Sequence, residues 1–363
     1  MKKTKRIILG SAALFTAAAI ILSYFFLLKK DTADLNDYTV IGNVNGMDIY
    51  YGELRDRMLR DRAVFLSELS KKYNVDINAE DFWETDINGK SPIELLKEQS
   101  AEKVKEYKIE QQLAVKYGII KSNETSYKAF INLLNQKNNL RSEKIQNNEV
   151  VYGASSYDKD TFLSYVQSNM VIKIKEKLSK KGEPLYATEK QLKEYYNLIK
   201  DDYYKKAPRA EYEDIYYNFE SDNSDIEAEK NKAKSIMSEV LNLIKTDNDY
   251  KNKISKNYKN IEIGTLSVSE ENASDLQKHY GATYSTATAL KVGEVSEITE
   301  VGLVFHIFKC ISYKDGGYKP FNENQDTIVS QYTDAKFNEY IKSLLEKNKI
   351  KWNENYNKVS IQD

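Results

Sequence analysis

The sequence predicts an α+β protein: an N-terminal transmembrane anchor, a mainly helical body, and an α/β module enclosed by helical segments on both sides. Three observations carry that prediction. The run Ile7–Leu28 holds no charge and is rich in Ile, Leu, Ala and Phe. Amphipathic patterns of helical period fill much of residues 51–200. From Ala210 to Ile311 short strand-like runs replace them, and helix returns only after Pro320. The four prolines, at 92, 184, 208 and 320, fall at boundaries, where a residue with no amide donor and a fixed φ is tolerated.

About 20 apolar residues cross a bilayer core as a helix, and the first run meets that length. A cleaved signal peptide has a shorter apolar region that ends in small residues. Here Ala17–Ala19 sit mid-run and Ile20–Leu28 continues apolar beyond them, which favours an uncleaved anchor. No cysteine follows it, so a lipid anchor on cysteine is not expected. Lys2, Lys3, Lys5 and Arg6 outnumber Lys29 and Lys30, so the N-terminus is expected to be cytoplasmic and the body extracytoplasmic.

Net charge is -1 overall, but the basic residues of the first 30 positions leave the body acidic. An acidic body gives no electrostatic reason to bind nucleic acid, whose phosphates call for a concentrated basic face. The single cysteine, Cys310, rules out an intrachain disulfide.

Along the body, Val40–Tyr50 reads as a strand pair around Asn45-Gly46, a dipeptide suited to tight hairpin turns. Helical patterns follow at about 51–73, 92–117, 124–145 and 158–180. Ser91-Pro92 supplies an N-cap and first-turn pair for the second of these, and Phe162, Tyr165, Val166, Met170 and Ile174 form the face of the fourth. Thr188 and Gln191 have capping-box spacing and open a helix with Leu192, Tyr195, Tyr196 and Ile199 as its stripe. Ala210–Phe219 reads as a strand and 226–245 as a helix. Strands are expected near Glu262–Leu266, at Glu297–Thr299 and at Leu303–Ile311, the last two joined by Glu300-Val301-Gly302. The final helix runs to about Lys347 with Phe337, Ile341, Leu344 and Leu345 inward. A packed core accounts for most of these stripes.

Conventional catalytic motifs are missing. There is no glycine-rich phosphate loop, HExxH or CxxC, so neither a cofactor nor a metal is expected, and two histidines with one cysteine make a His/Cys metal site improbable. A Ser/His/Asp hydrolase would need His279 or His306, and neither has a supporting local motif. His306 remains the notable residue. It lies between Phe305 and Ile307 in an apolar strand, where an unpartnered polar ring costs a few kcal/mol. It is therefore either a satisfied core residue or part of a cleft.

Three segments, in order, bear a family resemblance. Val44-Asn45-Gly46 with Ile49 and a helix from Glu53 resembles the opening of the SurA/PrsA group of exported foldases. Ala187-Thr188-Glu189-Lys190-Gln191-Leu192-Lys193-Glu194-Tyr195-Tyr196 is similar to the helix before their parvulin domain. Lys291-Val292-Gly293-Glu294-Val295-Ser296, Gly302 and His306-Ile307-Phe308-Lys309 resemble the close of the parvulin-type peptidyl-prolyl isomerase domain. The resemblance implies residues 1–30 as cytoplasmic tip and anchor, 31–206 as a helical chaperone-like domain, 207–316 as the parvulin-like domain, and 317–363 as a C-terminal helix returning to the helical domain. It implies His306 and Asp214 as the catalytic positions and Leu276, Tyr280, Tyr284 and Phe308 as substrate-binding ones. Its partners would be unfolded or newly exported polypeptides and, through the anchor, the membrane.

The departures matter equally. Parvulins carry a second histidine in their first strand, and here that place falls to Asp214. Of the family's Ser-x-Asp step and Gly-Gly pair, only Gly264 survives, and Tyr280, Tyr284 and Leu276 stand near the usual Met and Phe. Rotation about X–Pro faces a barrier of about 18–20 kcal/mol, lowered by a dry pocket that fits the twisted amide best. A carboxylate brings charge and water into such a pocket. The sequence therefore predicts weak or absent isomerase activity. A cell-envelope adaptor that uses the same fold to hold one fixed partner stays open beside the foldase.

Overall fold

The computed structural model describes residues 35–219 and 226–361. The expected anchor, Ile7–Leu28, lies outside the described residues. Among those described, no helix is long and apolar enough to cross a membrane. The chain divides into two units, Met1–Tyr186 with Thr333–Asp363, and Ala187–Tyr332.

The first unit opens with β1 (Val40–Val44) and β2 (Met47–Tyr50), an antiparallel hairpin in register Val44↔Met47. Its turn residues Asn45 and Gly46 have φ of 51° and 82°, the doubly left-handed turn that matches strand twist. The strand Ile350–Trp352 pairs antiparallel on the other side of β1. This close pairing requires glycine at 42, because a Cβ there would sit 2.6 Å from Trp352 Cε3.

Four helices follow: α1 (Tyr51–Tyr73), α2 (Pro92–Lys116), α3 (Tyr127–Gln146) and α4 (Lys159–Leu178). Ser91 caps α2, and Glu94 reaches back to the Ser91 amide at 2.9 Å, the reciprocal arrangement its spacing implies. Ile41, Ile49, Leu54, Met58, Leu96, Ile109, Ile174 and Leu178 close the core, with Phe337 and Ile341 contributed from the C-terminal helix Gln325–Lys347. Burying this surface is the main force holding the unit together, at roughly 25 cal/mol per Å² of apolar area. α3 contributes little to it; Tyr127 and Leu134 are its only buried residues.

The second unit begins with α5 (Glu189–Tyr203), capped by the Thr188–Gln191 box. Then come β3 (Arg209–Asn218), α6 (Ile226–Thr246), α7 (Tyr250–Asn257), β4 (Ile261–Val268), α8 (Ala273–His279), α9 (Gly281–Thr288), β5 (Thr299–Val301) and β6 (Val304–Lys314). The four strands form one antiparallel sheet in the order β4-β3-β6-β5. The division places α5 and the first turns of the C-terminal helix with this sheet, whereas the sequence boundaries at 206/207 and 316/317 separate them from it. Leu192, Tyr204, Ile328 and Tyr332 pack together, which accounts for the difference.

The last hairpin is also shifted from expectation. Its turn lies at Gly302-Leu303, and β5 is Thr299–Val301 rather than 297–299. Gly302 has φ of 61°, so the left-handed residue sets the turn and Val301 remains in the strand. Both faces of the sheet are covered. Ile215, Tyr217, Phe305 and Ile307 face α6 and α7, while Tyr212, Val268, Phe308 and Cys310 pack with α8 and α9 residues.

Candidate functional site

Side chains alternate faces along a strand, so β3 sends Tyr212, Asp214 and Tyr216 to one side and Ile215 and Tyr217 to the other. Antiparallel register puts Tyr216 opposite His306 and Asp214 opposite Phe308. β4 adds Glu262 opposite Tyr216 and Gly264 opposite Asp214, and β5 adds Thr299 opposite His306. One row across the sheet therefore reads Glu262, Tyr216, His306, Thr299, and the row beside it reads Gly264, Asp214, Phe308.

Polar groups in these rows are paired. His306 Nδ1 lies 2.9 Å from Asp214 Oδ1, with both side chains partly buried. The His306 and Phe308 rings stack, 5.6 Å between centroids and 8° between planes. Tyr216 lies tilted at 6.0 Å on the other side of the imidazole and donates its hydroxyl to Glu262 Oε2 at 2.5 Å. That carboxylate, with some desolvation, holds the Tyr216 hydroxyl above its usual pKa. The Thr299 hydroxyl lies 3.5 Å from that of Thr286 on α9, where the helix borders the His306 row.

Below the two rows the face is apolar. Phe308 is fully buried among Tyr212, Cys310, Ala287 and Val268, with Leu276, Tyr284 and Leu290 partly buried against them. The Tyr212 hydroxyl is buried without a hydrogen-bond partner, and burial beside Cys310, Tyr313 and Tyr284 pushes it up to about 12. A buried donor left unpaired is costly and rare.

Of the six residues expected here, the structure brings His306 and Asp214 into direct contact, and Phe308, Leu276 and Tyr284 into one cluster. Tyr280 is 60% exposed at the α8–α9 junction and is not part of that cluster. Phe308 supports the imidazole from beneath and has no surface of its own to offer a ligand. Sequence reasoning missed Tyr216, Glu262, Thr286 and Thr299. The alternation of β3 could have found Tyr216, two residues beyond Asp214; the others depend on register and helix placement. Among the described residues no group of three or more His, Cys, Asp or Glu is placed to hold a metal ion.

The family model for the PPIC-type PPIASE domain matches residues 187–326, which lie wholly within the second unit. No curated protein matches the chain in sequence. Among solved structures it is similar to one described with PEB4 and Cj1289, SurA-like chaperones of Campylobacter jejuni, at 11% identity and a TM-score of 0.29, covering 87% of this chain and 99% of that one. It is also similar to the foldase protein PrsA of Lactococcus lactis, at 12% identity and a TM-score of 0.25, covering 87% and 95%. PrsA of Streptococcus pneumoniae is a third, at 17% identity and a TM-score of 0.24, covering 72% and 91%. The family match defines the class of this segment: residues 187–326 form a parvulin-type (PPIC-type) domain. In this domain the Asp214 carboxylate stands against His306.

Proposed function

We propose that this chain is an extracytoplasmic foldase or chaperone, held to the membrane by its N-terminal segment, whose parvulin-type domain engages proline-containing stretches of exported polypeptides and isomerises them weakly. The observation that carries this reading is the 2.9 Å contact between His306 Nδ1 and Asp214 Oδ1. Prolyl rotation needs no nucleophile and no cofactor. It needs a site that holds the amide twisted, with hydrogen bonds fitting that state better than the planar one. The imidazole is available for this, but the carboxylate engages one of its nitrogens and brings a charge to a place where a dry pocket is required.

The catalytic positions proposed are therefore His306 and Asp214. Leu276 and Tyr284 form the apolar side of the binding surface, Phe308 lies beneath it, and Tyr280 stands at its exposed rim. An isomerisation assay on proline peptides, run with the full chain beside an active parvulin, is expected to give a rate well below the parvulin's and reduced further by His306→Ala. A rate equal to the parvulin's overturns the weak-isomerase reading. If the rate is low, suppression of aggregation of an unfolded substrate is the expected remaining activity.

A further inference from the structure

We infer that the parvulin-type face of this protein selects client segments carrying a lysine or arginine next to the proline. This deepens the client-binding reading above and rests on it. The register gives the sheet residues around His306: Asp214, Tyr216, Glu262, Gly264, Thr299 and Phe308. Two of these are carboxylates and none is Lys or Arg. The imidazole adds at most one positive charge to two negative ones, so this patch of the sheet stays net negative.

Two nearby lysines lie on the other face. Lys309 alternates to the opposite face, where it lies over the Tyr250 ring. Lys230 reaches the opposite face as well, pairing with Glu300 at 2.7 Å; Glu300 stands opposite the buried Phe305. Glu262 is exposed and is engaged by a neutral tyrosine hydroxyl, so its charge remains uncompensated. The apolar part of the face, with Leu276 and Tyr284, adjoins the Asp214 row. A proline seated there places the next residue about 3.3 Å along its chain, and the neighbouring rows of the sheet hold Asp214 and Glu262. Opposite charges at such range favour binding, and like charges oppose it.

The test uses the full chain and three fluorescent peptides identical except for Lys, Ala or Glu before the proline, with affinity read by anisotropy. The Lys peptide is expected to bind on the order of tenfold more tightly than the Glu peptide, with Ala between them. The gap should narrow as salt rises to about 0.5 M, because exposed charges are screened over less than about 10 Å. Glu262→Lys is expected to collapse or reverse the order, while Ser267→Lys, on the opposite face of β4, leaves it unchanged. Equal affinities for the three peptides overturn the selectivity and leave the client site standing. A Lys preference untouched by Glu262→Lys puts recognition elsewhere and overturns it too. If no peptide binds at all, the client site itself fails, and the selectivity with it.

Discussion

At the scale of single residues, two pairs define this protein, one in each unit. Asp214 takes up one nitrogen of His306, and in the reading proposed above it stands where a parvulin carries histidine. Asp214→His removes the charge and frees that nitrogen for the amide. The expected outcome is a gain of about tenfold or more in isomerisation rate, since a well-placed hydrogen bond in a dry site is worth at least that. An unchanged rate would mean that some other departure from the family pattern limits the activity. In the helical unit, Lys108 is completely buried; its Nζ lies 2.7 Å from Glu53 Oε1 and 3.2 Å from the Thr125 carbonyl. Glu53 also accepts the Tyr50 amide at 3.0 Å, so one carboxylate caps α1 and neutralises a buried cation. Removing one partner strands the other charge away from water, which costs about 3–5 kcal/mol. Lys108→Ala is expected to lower the denaturation midpoint of the helical unit accordingly, whereas a shift typical of an exposed substitution would show that water reaches the pair.

At the scale of elements, the α2–α4 contact carries a titration. Glu110 on α2 is 4% exposed and accepts from Gln167 Nε2 of α4 at 2.7 Å. Burial pushes its carboxyl up to about 7; the Gln167 bond and Lys175 of α4 oppose that rise, and Glu106 adds to it. The folded protein therefore holds a proton that the unfolded chain releases near 4.5. The resulting stability is fully present below pH 4.5, falls as pH rises, and is gone above about 7, for a total on the order of 3 kcal/mol. Chemical denaturation at pH 5 and pH 8 measures it. Glu110→Gln should flatten the difference between the two. The elements themselves were legible where local chemistry decides them. Asn45-Gly46 fixes a hairpin, Ser91-Pro92 and Thr188–Gln191 fix helix starts, and long apolar stripes fix α1, α2 and α6. By contrast, α8 and α9 were not, because segments of seven and eight residues are too short to show a periodic stripe. The site followed the same division. Its His306–Asp214 pair was readable from a family pattern, while Glu262, Thr286 and Thr299 join it through register and packing, which leave no local trace.

At the scale of the whole molecule, the helical unit is discontinuous in sequence and the sheet unit is not. Residues 187–332 form one continuous segment with its own apolar clusters on both faces of its sheet. The chain entering and leaving that sheet is joined by Lys206 N–H donating to the Gly317 carbonyl at 2.9 Å and Lys319 N–H to that of Tyr204 at 2.8 Å. Gly316 allows this, because a Cβ there would sit 2.1 Å from the Ala207 carbonyl. The helical unit instead depends on the far end of the chain. Trp352 lies against Gly42 and stacks on Tyr356 at 3.9 Å, Ile350–Trp352 supplies the third strand, and Val359 is buried in the same core. A chain ending at Lys347 loses the strand, the partly buried indole and the buried Val359 together, at a cost of several kcal/mol, roughly 3–5. Such a chain is expected to lose the cooperative unfolding of its helical unit while residues 187–332 retain the sheet and its peptide affinity. Two-dimensional amide spectra of the truncated chain and of the 187–332 segment decide this. Dispersed sheet-unit resonances common to both, with the helical-unit resonances collapsed, are the expected result. Intact helical-unit resonances would show that residues 35–186 with the rest of the C-terminal helix suffice.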